Sequence, residues 1–304
     1  MPTTYIPTVV KDDAHREGVW GVAWSSVTDT VITGSLDCTV KCWDGASGDE
    51  KFKLEGHSTG IISVDTNRSG SLAISTSIDS NIRVWDLENE GKLLHSISAP
   101  PGEAWTSKCS PDGSHFASGS YSGHLNIYNI ESGQQVSSLA TKKQFIMSTA
   151  YSADGKYLAC GAETGIIYVF DVETSQLVHT LSGHAMAVRT LSFAADSRTL
   201  ISGSDDKRIH VYDVEHGQVA AALTGHNDWV LSVASNPNIS KQQMASAGSD
   251  KQVKIWDLGM RQVLETHEVH VDQVWGVCWN SEGTKLVSAS DDKSIKWFAA
   301  SGSG

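Results

Sequence analysis

One short pattern recurs seven times in this chain, and it constrains the fold more than any other feature of the sequence. The segment GSLDCTVKCWD (Gly34 to Asp44) returns as STSIDSNIRVWD, GSYSGHLNIYN, GAETGIIYVFD, GSDDKRIHVYD, AGSDKQVKIWD and ASDDKSIKWFA. The aromatic near the end of each copy falls at Trp43, Trp85, Tyr128, Phe170, Tyr212, Trp256 and Phe298, in steps of 42 to 44 residues. A fixed period of that length marks a repeated supersecondary unit. Every copy has the same grammar. A strand rich in β-branched and aromatic residues (VRTLSF) leads to a turn (SPDG, SADG, SEGT) and a second strand (YLACGA). A tight turn around an Asp, an alternating strand (IHVYDV), a Gly-containing turn (EHGQ) and a last short strand (VAAAL) follow. Alternation broken by Gly, Asp and Asn at such intervals predicts antiparallel four-stranded sheets, and no helical periodicity of useful length competes. Four strands in every repeat of about 42 residues predict an all-β, seven-bladed propeller, a single domain over residues 1–304.

The two ends of the chain fit a closed ring. The last repeat stops at Phe298, after its third strand, so residues 299–304 are expected to form a flexible tail. Thr4 to Val10 has strand character and is expected to supply the missing outer strand of the last blade, which removes an open sheet edge. Pro7 is tolerable there, because an outermost strand leaves one row of amides unpaired.

Composition excludes several classes of function. The net charge is −12 and the basic residues form no stripe, which argues against direct contact with a nucleic-acid backbone. No window approaches the roughly 18 consecutive apolar residues of a membrane helix, and the first residues lack the basic-then-apolar pattern of a secretory leader. Cys38, Cys42, Cys109, Cys160 and Cys278 have no CxxC spacing and sit in apolar or strand-like runs, so they read as free, partly buried thiols in a reducing compartment. His267 and His270 have an HxxH spacing, but His270 has another use described below. The glycines of GSYSG and GAETG precede no helix that could cradle a phosphate. No cofactor or metal is expected.

The phrases GHSTGIISV, GHAMAVRTLSF and GHNDWVLSV, together with IRVWD and VKIWD, resemble the WD-repeat family over essentially the whole chain. That resemblance explains a constellation that otherwise looks catalytic. The first repeat holds His15, Thr33, Asp37 and Trp43, the second His57, Ser75, Asp79 and Trp85, and the sixth His226, Ser246, Asp250 and Trp256. The fifth holds His184, Ser202 and Asp206, with Tyr212 in the Trp place. The seventh holds His270, Ser288 and Asp292, with Phe298 there. A catalytic triad needs one accessible copy, whereas five copies around a ring need a structural explanation. In the family these residues form a buried hydrogen-bonded tetrad. The third and fourth repeats put Pro100 and Lys142 in the His places and Ser122 and Thr164 in the Asp places. The network is expected to be absent from both, leaving them to rest on apolar packing as the softest part of the ring.

The phrase VWGVAW (Val19 to Trp24) reappears as VWGVCW (Val274 to Trp279). Counting five residues from each loop His places Trp20, Ile62, Trp105, Met147, Arg189, Leu231 and Trp275 in equivalent positions. Two residues earlier lie Phe145 and Trp229 of the fourth and sixth repeats. In the family both places lie on the innermost strand near one mouth of the central channel, called the top. The residue before each tetrad Asp reaches the same face: Leu36, Ile78, Tyr121, Glu163, Asp205, Ser249 and Asp291. A large apolar ring implies a partner. Trp, Tyr and Arg are the residues enriched at binding hot spots. The carboxylates of Glu163, Asp205 and Asp291 are expected to orient a partner carrying Lys or Arg. The first and seventh blades are ring neighbours, so Trp20 and Trp275 are expected side by side.

Within that family, SIDSNIRVWDLENEGK, YSADGKYLACGAETGIIYVFDVETSQLVHTLSGHAMAVRTLSF and HVDQVWGV look like the WD-repeat subunits of the superkiller (Ski) complex, a kind of subunit also found in the Paf transcription-elongation complex. The resemblance weakens in NPNISKQQMASAG and at the C-terminus. It implies a non-enzymatic scaffold that docks partner segments on its top face. The implied partners are the tetratricopeptide-repeat scaffold and the helicase subunit of the assembly that feeds messenger RNA to the exosome for 3′-to-5′ decay. Paf-complex subunits acting in transcription elongation and histone modification are a second set. It further implies cytoplasmic and nuclear localisation and a propeller that is monomeric in isolation. The alternatives are a reader of a histone tail or degron in another complex, which needs a charged pocket at the channel mouth, and an enzyme using the channel, which needs a metal cluster or reactive group there.

Overall fold

A computed structural model describes residues 4–25 and 27–301. Those residues form seven four-stranded antiparallel sheets. In sequence order the blades are residues 19–54, 61–98, 106–140, 146–181, 188–224 and 230–267, and a seventh that joins residues 274–300 to the first strand, Tyr5–Lys11. Among the described residues the one helical element is a single 3-10 turn, Ile239–Lys241, inside the NPNISKQQ insertion of blade 6. There the Asn238 side chain accepts from the Ser240 amide.

Period-two alternation turns successive side chains of each strand to opposite faces of its sheet, and both faces of the second strand of a blade, such as Thr30–Ser35, are buried. All seven periodic aromatics are buried, from Trp43 and Tyr128 at 4% exposure to Phe298 at 0%. The core lies between blades. One cluster joins Trp24, Val31 and Trp43 of blade 1 to Val287, Ile295 and Trp297 of blade 7. Another joins Ala245, Ala247, Val253 and Ile255 of blade 6 to Val274, Val277 and Leu286 of blade 7, with Tyr5. Each fully buried Leu, Ile or Val contributes about 1.5–3 kcal/mol relative to exposure. Because the clusters span blades, a blade removed from the ring loses both of its faces.

Tyr5–Lys11 closes the ring by pairing with the last strand, Ile295–Ala300. It starts and ends one residue later than the sequence suggests. The Tyr5 ring is buried against Trp279 (5.1 Å between centroids), and its hydroxyl donates to the Gly283 carbonyl at 3.1 Å. Burial, with the Glu265 carboxylate second, pushes that phenol up to about 12. Pro7 pairs opposite Phe298, and the register slips between Pro7 and Val9, so the missing amide falls beside a bulge. The expected tail is corrected at its first two residues. Ala299 and Ala300 belong to the last strand, paired with Ile6 and Tyr5, because closure gives them a partner strand. Residues 1–3 and 302–304 lie outside the described residues.

Candidate functional site: the top mouth of the central channel

Five blades carry a His–Ser/Thr–Asp network. In blade 2, His57 Nδ1–H donates to Asp79 at 3.1 Å, Ser75 Oγ lies 2.8 Å from His57 Nε2, and Trp85 Nε1–H donates to Ser75 Oγ at 2.8 Å. The same distances are 3.1, 2.8 and 2.8 Å for Asp37, His15, Thr33 and Trp43. They are 2.9, 2.7 and 2.7 Å for Asp250, His226, Ser246 and Trp256. In blade 5, His184 lies 2.8 Å from Asp206 and 2.6 Å from Ser202. In blade 7, His270 lies 2.9 Å from Asp292 and 2.7 Å from Ser288, with Phe298 leaving that hydroxyl without an indole. The order Asp–His–Ser is that of a hydrolase triad, but the chemistry is closed off. Thr33, Ser75, Ser202, Ser246 and Ser288 are all 0% exposed, and an indole already donates to three of the hydroxyls. Burial pushes the His15, His57 and His184 imidazoles below their usual range against the pull of their aspartates. At Asp79 burial pushes upward, but the Ser58 and Asn81 amides and His57 outweigh it and hold the carboxyl down at about 2. Each network locks a loop to a strand.

Blades 3 and 4 have no Asp–His–Ser/Thr network among the described residues, and the buried Ser118 Oγ of blade 3 is left without a partner, but their loops carry other polar contacts. Ser122 Oγ donates to Glu103 Oε2 at 2.8 Å and lies 2.8 Å from His124 Nδ1. In blade 4 the Gln144 amide oxygen accepts from Thr164 and from the Tyr168 hydroxyl. Pro100 and Lys142 contribute through the backbone, the Pro100 carbonyl accepting from the Glu103 amide at 2.9 Å and the Lys142 backbone bonding the Tyr168 hydroxyl. The half-buried loop residue Glu103 accepts from Ser122 in the Asp place, and only Gln144 spans from the Asp place to the strand as a His would.

Trp20, Ile62, Trp105, Met147, Arg189, Leu231 and Trp275 line one depression of about 240 Å³, together with Ser63 and Thr106. The backbone shows how. In six blades the innermost strand slips register around this residue: between Val19 and Gly21, Ile61 and Ser63, Ile146 and Ser148, Val188 and Thr190, Val230 and Ser232, and Val274 and Gly276. The ring residue is the extra member of a β-bulge, a device that re-aims a side chain. In blade 3, Trp105 sits just ahead of its strand, Thr106–Cys109.

The ring is more internally bonded than its sequence suggests. Trp20 and Trp275 are stacked, with centroids 4.3 Å apart and planes at 21°. Their indole N–H groups both donate to Asp291, at 2.7 and 2.9 Å. Gly18 has no room for a side chain, since a Cβ there would run into the Asp291 carboxylate. Arg189 donates Nε–H and Nη2–H to the two oxygens of Asp205, each at 2.9 Å, and its guanidinium lies 5.3 Å from the Trp229 ring. The acidic rim is therefore corrected. Asp291 and Asp205 are satisfied within the chain, and Asp205, like Leu231, is buried at 5% exposure. Glu163 alone of the three stays exposed.

The remaining residues stand outside the depression. Tyr121 (67%), Ile78 (55%) and Trp229 (39%) are the exposed apolar members. Leu36 is half-buried over Gly60, where an added Cβ would meet Leu36 Cδ2 at 2.6 Å. Phe145 is half-buried against Trp105 and Tyr121, at 5.1 and 5.3 Å. Ser63 and Thr106 fall at none of the repeat positions counted in the sequence, since each lies one residue past the ring position of its blade. Among the described residues no cluster of three metal-ligating side chains occurs, and His267 and His270 face different partners, Glu265 and Asp292.

Comparison with known proteins agrees with this geometry. The family described as "IFT122 first beta-propeller" matches residues 8–239, and the one described as "WD domain, G-beta repeat" matches residues 261–298. The chain is 38% identical over 153 residues to WD repeat-containing protein SL1-17 of Schistosoma mansoni, covering 48% of this chain and 50% of that protein. It is 36% identical over 159 residues to WD repeat-containing protein VIP3 of Arabidopsis thaliana, covering 46% and 49%. It is 32% identical over 154 residues to nuclear distribution protein PAC1 of Arthroderma otae, covering 45% and 33%. The chain thus spans half or less of the length of these relatives. With four-stranded blades, buried Asp–His–Ser/Thr networks and a family match over most of its length, the chain belongs to the WD-repeat β-propeller family.

Proposed function

We propose that this protein is a non-enzymatic scaffold that docks a peptide segment of a partner across the top mouth of its channel. The observation that supports this reading is the depression to which every blade contributes, six of them from a bulge. The outer strand pairs slip register in six blades as well, so bulges alone belong to the blade; what supports docking is that the inner set aims its side chains into one shared depression. The walls are apolar and aromatic, with Trp20 and Trp275 held rigid by Asp291, so little ordering remains to be done when a ligand arrives. The hydroxyls that mimic a nucleophile are buried, which weighs against hydrolysis.

The partners proposed are the tetratricopeptide-repeat scaffold and the helicase subunit of the superkiller complex, in support of exosome-mediated decay of messenger RNA. Paf-complex subunits in the nucleus are the second proposed setting. What supports this is the likeness of the phrases quoted above. The acidic net charge suits a subunit that leaves RNA to its partners.

The test is a paired affinity purification from cytoplasmic and nuclear extracts, one bait unaltered and one carrying Trp20→Ala and Trp275→Ala, with folding checked by thermal melt. Recovery of the scaffold and helicase by the first bait only supports both the site and the assembly. Recovery by both baits moves the interface off the tryptophan pair. Recovery by neither removes the superkiller assignment, and Paf subunits in the nuclear arm replace it with the second setting.

A further inference from the structure

One position of the outer strand governs how each blade meets the next. It is the residue paired opposite the one just before the periodic aromatic. In four blades it is Val9, Phe52, His95 or His179. Each of these side chains rests on the turn glycine of the following blade. A Cβ added at Gly48, Gly91, Gly133 or Gly217 would meet them at 2.7, 3.3, 3.0 and 2.5 Å. In blades 3 and 5 the same position holds Ser137 and Ala221, too short to reach across. The left-handed turn residue ahead of them is Ser175 or Arg261 instead of glycine. A groove opens at both junctions, about 350 Å³ between blades 3 and 4 and about 390 Å³ between blades 5 and 6.

The grooves differ in what the chain lays over them. Ile239, in the 3-10 turn of the blade 6 insertion, lines the one between blades 5 and 6. A cavity of about 520 Å³ between blades 2 and 3 is bridged by His95, whose Nε2 lies 2.7 Å from the Glu131 carbonyl. The groove between blades 3 and 4 is open instead. A Cβ added at Gly155, on its wall, would meet no atom within 4 Å, whereas at the repeat counterparts Gly70 and Gly283 it would strike Ser25 and Asn236 at 1.9 Å. Its apolar wall is Ile127, Val136, Tyr151 and Val172, with Val136 54% exposed. Asp112 and Asp154 stand in the same lining, which holds no lysine or arginine. The turns that form it join the strands at the end opposite to the His loops, away from the top mouth.

We propose that the groove between blades 3 and 4 is a second docking site, which takes an aromatic side chain of a partner segment with a lysine or arginine beside it. Phe52 shows the fit. It occupies the matching place between blades 1 and 2 from within, packed against the cluster that holds Leu54 and Trp85. A partner's ring supplies from outside the apolar volume that Ser137 lacks, in a ring of blades that otherwise supply it themselves. The neighbouring cation follows from the two carboxylates and from the net charge of −12. This site goes beyond the top-mouth reading and does not depend on it.

The experiment pans random peptides displayed on phage against the full chain, then measures the enriched peptides by calorimetry on the unaltered protein and on variants. Ser137→Phe fills the groove as Phe52 does. The expected result is a set of peptides sharing an aromatic residue next to Lys or Arg. Ser137→Phe should bind them about 10- to 100-fold more weakly, as for loss of one buried ring, and Trp20→Ala with Trp275→Ala should bind them unchanged. Asp112→Asn with Asp154→Asn should weaken them about 2- to 10-fold and flatten their salt dependence. Ser137→His, which copies blades 2 and 4, takes the place of the Phe variant if that one melts early. If no peptide is weakened by filling the groove, the site is overturned. If the weakened peptides are lost with the tryptophan pair as well, they belong to the top mouth and the groove is again overturned. Weakened peptides without an aromatic residue overturn the ring assignment, and indifference to the Asn pair overturns the cation.

Discussion

Replacing Asp291 by Ala removes the acceptor on which both Trp20 and Trp275 rest, and its effect can be worked from the geometry. Two indole N–H bonds, at 2.7 and 2.9 Å, end on one carboxylate. A hydrogen bond to a charged group is worth about 1.5–3 kcal/mol net when shielded. Asp291 and both tryptophans are only half-buried, so water replaces part of the loss and no orphaned donor is left inside. The expected cost to folding is therefore about 1–2 kcal/mol for the pair. The larger effect falls on docking. Two freed indoles must be ordered again at about 0.5–1.5 kcal/mol each, about 1–3 kcal/mol together, which weakens a bound segment about 5- to 150-fold. The readouts are urea unfolding, the exciton circular-dichroism signal of an indole pair stacked at 4.3 Å, and calorimetry with a library-selected peptide. Loss of the exciton signal with a modest drop in urea midpoint is expected. An unchanged exciton signal, with stability within about 0.5 kcal/mol, would refute the claim that the carboxylate holds the pair.

Three further outcomes follow from the same contacts. Ser246→Ala should cost about 2–4 kcal/mol and Trp256→Phe about 1–2, because Ser246 Oγ serves both His226 and Trp256 while the indole has one partner; equal losses in urea unfolding would contradict the shared-acceptor argument. His210 lies flat on His184 at 4.0 Å, and burial, with His184 second, holds it down at about 4. The unfolded chain then takes the proton first, so this contribution is intact above pH ~6.5 and declines toward pH ~4 by at most about 3 kcal/mol. His210→Asn, which copies Asn126 of blade 3, should flatten that slope in urea midpoints, and an unchanged slope would assign the acid loss elsewhere. Hydrogen exchange should show less protected amides in residues 106–181 than in the other blades, since neither blade there has the three-member His network; uniform protection would show that Glu103 and Gln144 replace it fully.

The sequence alone determined much of this protein. The period, the turn residues and the alternation specify seven antiparallel blades, because those signals act through local backbone preferences. The tetrads were legible for the same reason: His and Ser or Thr recur at separations of 18 or 20 residues, inside one repeat. The ring positions were legible as a count, but not the bulges that aim them, since register is a property of two paired strands. Tertiary structure alone decided which charges remain free. Asp291 meets Trp20 across 271 residues of chain, through closure of the ring, and Asp205 meets Arg189 through the fold of one blade. A carboxylate looks the same in sequence whether it faces water, a guanidinium or two indoles, and only the neighbours brought by folding set what it can still bind.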